Sequence, residues 1–174
     1  MRQINVSLGQ RSYPILIGPG LLGRAAERLS ALPVKRWAVV ADETAASLYA
    51  GSLGLPVYTF PAGEGSKCLA VYESLCRRML ADGFIRADGI VALGGGSSMD
   101  VGKAVGVLVN YGGKITDYEG NHKVPGPIVP MIAIPTTAGT GSEVTASAVI
   151  TDTERNYKLS VFSYEILPKY AVLD

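Results

Sequence analysis

The stretch LGGGSSMD, Leu93 to Asp100, sets three glycines, two serines and a carboxylate directly after an apolar run. Gly94, Gly95 and Gly96 carry no side chain, so the backbone there can close on a ligand. Ser97 and Ser98 add hydroxyls. If a helix starts in this turn, its free N–H groups and the positive end of its dipole favour an anion, and a phosphate fits that chemistry. Asp100 lies one turn further on. It reads either as a carboxylate complementing the helix dipole or as a site acid touching cofactor or substrate. The spacing is not the dinucleotide fingerprint G-x-G-x-x-G, because Met99 stands where the third glycine belongs. The loop alone therefore does not decide the function.

Two more polar clusters follow apolar runs. Asp42 closes RWAVVAD. It could accept both hydroxyls of an adenosine ribose and repel a 2′-phosphate, or it could cap the helix begun by ETAASL. In the usual dinucleotide order the acid comes about 20 residues after the glycines; here it comes before them. PTTAGTGSE places Thr136, Thr137, Thr140 and Ser142 beside an apolar strand. That density of hydroxyls suits amide or phosphate groups, and the alternative is a flexible turn. Lys158 reads as a solvated lysine or a cationic cofactor contact. His122, the only histidine, sits in a glycine-rich loop. One histidine cannot build a His-rich metal site, which normally needs three or four ligands.

The elements that must position these residues follow from periodicity. INVSLG and YPILI read as a hairpin. GPGLLGRAAERLSAL, ETAASLYAGSL, SKCLAVYESLCRRMLADG and SMDVGKAVGVLVN read as helices. The third of these has Ser66 as N-cap and Gly83 as its stop. RWAVVAD, PVYTF, DGIVAL and VPMIAIP are short apolar strands. Residues 110–127 read as a loop. SAVIT and YKLSVF form a second hairpin, and YAVLD is a last strand. Apolar strands alternating with helices predict an α/β fold with a mostly parallel sheet covered on both faces. In such a sheet the three polar clusters share the edge formed by the strands' carboxyl ends.

The chain of 174 residues, 48% hydrophobic and 18% charged, suits one α/β domain with a real core. A net charge of +1 without a basic run gives no reason to expect nucleic acid. No run of about 18 apolar residues predicts a membrane span. The N-terminus lacks a signal peptide's apolar core, so a cytoplasmic location is expected. Cys68 and Cys76, eight apart in one predicted helix, would be roughly 12 Å apart. That separation predicts reduced thiols rather than a disulfide.

GGGSSMDVGKAV, then PMIAIPTTAGTGSEVTASAVITD, a lysine and LPKYAVLD resemble the iron-containing (group III) alcohol dehydrogenases over roughly residues 88–174. In the first half, VSLGQRSYPILIGPGLL and FPAGEGSKCLAVYESL are closer to dehydroquinate synthase, a relative with the same two-domain plan. The later motifs of that synthase, a GD after the glycines and a VGGK, are not found. The halves look like relatives joined near residues 85–93, as an engineered hybrid, an ancestral-type sequence or a divergent natural one would be.

The resemblance implies a Rossmann-like NAD-binding domain spanning 1–174, with the family's all-helical metal domain absent. In that reading Asp42 binds the adenine ribose, favouring NAD over NADP. Glu64 and Lys67 are cofactor contacts. Gly95, Gly96 and Ser97 hold the pyrophosphate, Gly94 belongs to the same cofactor-binding turn, and Asp100 lies near the nicotinamide. Thr136, Thr137, Thr140 and Ser142 line the adenine and nicotinamide pockets, and Lys158 adds a further contact. Iron or zinc would belong only to a full-length enzyme, whose partner for this domain is the helical C-terminal one. The implied function is hydride transfer between NAD and a small alcohol or aldehyde, with the chain alone inactive and its bare face open to self-association. A scaffold domain without activity and a dehydroquinate synthase-like lyase fragment are the alternatives.

Overall fold

The structure, a computed structural model, describes residues 1–174 apart from the side chains of Gln10, Ala26 and Arg28. The elements run β1 (Arg2–Val6), β2 (Tyr13–Ile17), α1 (Ala25–Leu29), β3 (Trp37–Asp42), α2 (Glu43–Tyr49), β4 (Val57–Phe60) and α3 (Leu69–Ala81). They continue through β5 (Gly89–Gly94), α4 (Gly96–Tyr111), β6 (Gly120–Asn121), β7 (Met131–Pro135), β8 (Ser147–Asp152), β9 (Tyr157–Phe162) and β10 (Tyr170–Leu173). The main sheet has the order β1-β2-β10-β7-β5-β3-β4, parallel except for the β1–β2 hairpin. A small second sheet, β6-β9-β8, contains the antiparallel β8–β9 hairpin.

Side chains alternate across the main sheet, so it separates two cores. Ala38, Val40, Ile90, Ala92, Met131 and Ala133 pack under α3, α4 and the small sheet. Val39, Ala41, Val91, Leu93, Ile132 and Ile134 pack against α1 and α2. This is why β3 and β5 read as unbroken apolar runs: neither face meets water. The expected α/β fold with a mostly parallel sheet is what forms.

From β3 the chain passes through α2 to β4 on one side. From β4 it passes through α3 and returns to β5 on the other side of β3. The connections leaving β3 and β5 therefore diverge, which opens a crevice at their carboxyl ends. The four helices described include none long and apolar enough to cross a membrane.

Helix α4 lies close against β5. A Cβ on Gly102 would sit 2.7 Å from the Ala92 Cβ, and one on Gly106 would sit 2.9 Å from Ile128 Cδ1. Alanine in place of glycine gains roughly 1 kcal/mol of helix propensity, but overpacking of this kind costs about 1–3 kcal/mol. Gly102→Ala is therefore expected to lower the urea midpoint. An unchanged or higher midpoint would show that α4 can lift from the sheet freely.

Four local expectations are corrected. The helix expected over 18–32 shrinks to a 3-10 turn, Leu22–Arg24, and the five-residue α1, because the chain must first turn at Gly20 (φ +73°). There the Asp174 carboxylate accepts the N–H groups of Gly20 and Leu22 at 2.6 and 2.8 Å. The helix expected over 43–53 changes to a 3-10 turn at Ala50 and ends at Gly54, whose φ is +61°. Ser66 is not an N-cap. It lies in a 3-10 turn, and α3 starts at Leu69, after Cys68. The extension there has a cause: Lys67 C=O accepts the Thr151 N–H at 2.7 Å, and Cys68 pairs with Thr151. Finally, the 110–127 loop contains a 3-10 turn, Ile115–Tyr118, and the short strand β6.

Candidate functional site

Asp42 is the last residue of β3. One carboxylate oxygen accepts the Ala45 N–H at 2.9 Å and so caps α2; the other accepts the Ser98 hydroxyl at 2.8 Å. The capping reading and a role beside the glycine turn thus coexist in one side chain.

The three glycines divide the work. Gly94 has φ +137°, and a Cβ there would collide with the Ser98 hydroxyl and lie 2.8 Å from Asp42 Oδ2. Gly95 is ordinary backbone, with φ −79°. A Cβ on Gly95 would lie 3.3 Å from Thr137 Oγ1; one on Gly96 would lie 3.1 Å from Ser142 Oγ and 3.3 Å from the Thr140 Cβ. The hydroxyl segment therefore stands across a narrow gap from the turn. Helix α4 begins at Gly96, and its N-cap glycine has no side chain to take the first N–H groups.

A second cluster forms beside the same helix start. Glu64 accepts from the Ser97 hydroxyl at 3.1 Å and pairs with Lys67 and Lys158, each at 3.3 Å. Lys67 also pairs with Asp100 at 3.3 Å, with both side chains about nine-tenths buried. Asp100 Oδ2 further accepts the Val149 N–H. Burial pushes the Asp100 carboxyl up, opposed by Lys103, Lys67 and that N–H. Burial works the same way on Glu64, but Ser97, Lys67 and Lys158 hold it below the usual carboxylate range. Residues read from the two halves of the sequence thus meet: Glu64 and Lys67 from before α3, Ser97 and Asp100 from α4, and Lys158 from β9.

Two residues here were not legible as site members. Tyr72 on α3 is buried, and its hydroxyl has no partner among the described residues. Burial, together with nearby Asp100, raises its phenol above the ordinary value. Removing an unpaired buried hydroxyl relieves a desolvation cost. Tyr72→Phe is therefore expected to be neutral or stabilising in denaturant unfolding. A loss of more than about 1 kcal/mol would reveal a hidden partner. The other residue is Lys103, fully buried in α4. Its ammonium donates to the carbonyls of Ser142, Thr145 and Ser147 at 2.8 Å each and to the Thr145 hydroxyl at 3.0 Å. The signal was there: a lone lysine inside the apolar run VGKAVGVLV.

On the α2 side, a groove of about 480 Å³ is lined by Tyr49, Leu93, Ile134, Thr136, Thr137 and Glu143, among others. A groove of about 670 Å³ beside Arg11, Tyr164 and Lys169, near the starts of β2 and β10, contains none of the predicted site residues. Among the described residues, no three His, Cys, Asp or Glu side chains are placed to hold a metal.

A parallel sheet with a glycine turn and a helix start at its switch point defines a Rossmann-like α/β domain. The chain belongs to the iron-containing alcohol dehydrogenase family, whose profile matches residues 13–174. It is 37% identical over 173 residues to the NAD-dependent methanol dehydrogenase of Bacillus methanolicus, covering 91% of this chain and 43% of that one. It is 41% identical over 118 residues to the 3-dehydroquinate synthase of Agrobacterium fabrum, covering 62% of this chain and 31% of that one. The structure superposes with a TM-score of 0.81 on the alcohol dehydrogenase from Oenococcus oeni, at 30% identity, covering 99% of this chain and 45% of that one. The chain therefore spans less than half the length of these relatives.

Proposed function

We propose that this chain is the NAD-binding domain of an alcohol dehydrogenase-like protein, and that the complete protein transfers hydride between NAD and a small alcohol or aldehyde. The supporting observation is convergence: Asp42, the 94–98 turn, the Glu64–Lys67–Asp100–Lys158 cluster and the 136–142 hydroxyls gather at one crevice. A relative of this fold, the sulfoacetaldehyde reductase of Bifidobacterium kashiwanohense, was solved in complex with NAD+ (TM-score 0.79, 28% identity).

The residues present fit a dinucleotide. Gly95 and Gly96 leave the clearance that a Cβ would fill, and α4 offers its N-terminus to a pyrophosphate. Ser97 Oγ can turn from Glu64 to a phosphate oxygen, and Lys67 and Lys158 balance the added negative charge. Asp42 faces the ribose, Asp100 lies on the nicotinamide side, and Thr136, Thr137, Thr140 and Ser142 wall the ring pockets. When bound, NAD supplies the hydride acceptor; the residues described here hold and orient it. Among the described residues no three His, Cys, Asp or Glu side chains offer a ligand set for iron or zinc.

Calorimetric titration with NAD tests the reading. Saturable one-to-one binding is expected. No heat and no thermal shift at millimolar NAD would sink it and favour a scaffold role.

A further inference from the structure

Lys103 has zero exposure inside an apolar helix, a place where a charge is unfavourable unless fully met. An ammonium has three donors, and here four oxygens surround it at 2.8–3.0 Å. Every donor is used, leaving none for a ligand. Three of those oxygens are main-chain carbonyls, so the lysine grips the path of the backbone. That path carries Thr140 and Ser142, the residues facing Gly96. The same helix, seven residues earlier, begins as the glycine turn.

We propose that Lys103 is the positioning residue of the cleft: it ties the hydroxyl segment to α4, so that both walls around a bound dinucleotide move as one body. The charged groups around it are consistent with this. Asp100 on its own helix and Glu143 on the segment favour the ammonium, opposing the burial that pushes it down to about 8. Lys67 is already engaged by Asp100, and Tyr13 from β2 donates to the Val144 carbonyl rather than competing for Lys103. The amides of Ser142 and Val144 report the segment, since they bond to Thr140 Oγ1 at 3.3 Å and Gly141 O at 3.0 Å.

The proposal rests on the nucleotide reading only for its binding readout. Lys103→Met and Lys103→Arg are compared with the parent by hydrogen exchange at Ser142 and Val144 and by NAD titration, with circular dichroism monitoring the fold. Lys103→Met is expected to lose about tenfold in both amide protection and NAD affinity, and Lys103→Arg, whose larger planar guanidinium does not fit a pocket closed around one ammonium nitrogen, to lose a comparable share of each. Parent-like behaviour of either variant overturns the proposal. If Lys103→Met does not fold, Thr145→Val removes a single acceptor from the exposed turn, and about a threefold loss of protection is expected; no loss overturns the proposal. If the parent itself fails to bind NAD, the nucleotide reading falls while the exchange data still judge Lys103.

Discussion

Gly95→Val is expected to fold normally and to bind no NAD. Gly95 has φ −79°, so any L-residue can take its backbone, and its Cβ would make only a close contact, 3.3 Å, with Thr137 Oγ1. The two added methyls would then fill the gap between the turn and the hydroxyl segment. In the proposed complex each charge-assisted bond lost from backbone N–H to phosphate, worth about 1.5–3 kcal/mol, weakens binding by about tenfold or more. Gly94→Val is the contrast. At φ +137° and against the Ser98 hydroxyl, a side chain is excluded by the fold itself, so that variant should lose stability before it loses affinity. Titration beside a melting curve separates the two. A folded Gly95→Val variant that still binds NAD would reduce the turn to a structural bend.

The second large effect is expected at Asp42. A carboxylate and a phosphate charge about 4 Å apart repel by about 4 kcal/mol at an effective dielectric of 20, so NAD should be preferred over NADP by at least about a hundredfold. The informative variant is Asp42→Asn. Its amide oxygen can still accept the Ala45 N–H, so α2 keeps its cap, while the charge proposed to face the ribose is gone. NADP affinity should rise and the preference narrow to about tenfold or less. Equal affinities for NAD and NADP in the parent would remove Asp42 from the ribose.

Much of this was readable from the sequence because the signals were local. Unbroken apolar runs marked β3 and β5, and glycine density marked the turn into α4, because in both cases the telling residues are consecutive in the chain. What could not be read were bonds that cross the fold. Ser66 looks like an N-cap by type and position. It loses that role because Lys67 and Cys68 are drawn alongside Thr151, more than 80 residues away. The three glycines look equivalent in the sequence, yet of them only Gly94 has a positive φ, and Ser98 and Asp42 leave no room for a side chain there. Lys103 stands out in the sequence as a lysine within an apolar run, but three of its four partners are main-chain oxygens, which have no residue type to recognise.

The crevice between β3 and β5 has a further consequence. It exists because the chain leaves β3 in one direction and re-enters the sheet on the other side, not because particular side chains carve it out. Exposed lining residues such as Thr136 and Thr137 can change what the opening selects, whereas Leu93 and Ile134 also belong to the core and their replacement costs stability. Ligand preference can therefore be retuned in small steps at the exposed positions with little effect on folding. An architecture of this kind lets one fold carry different specificities.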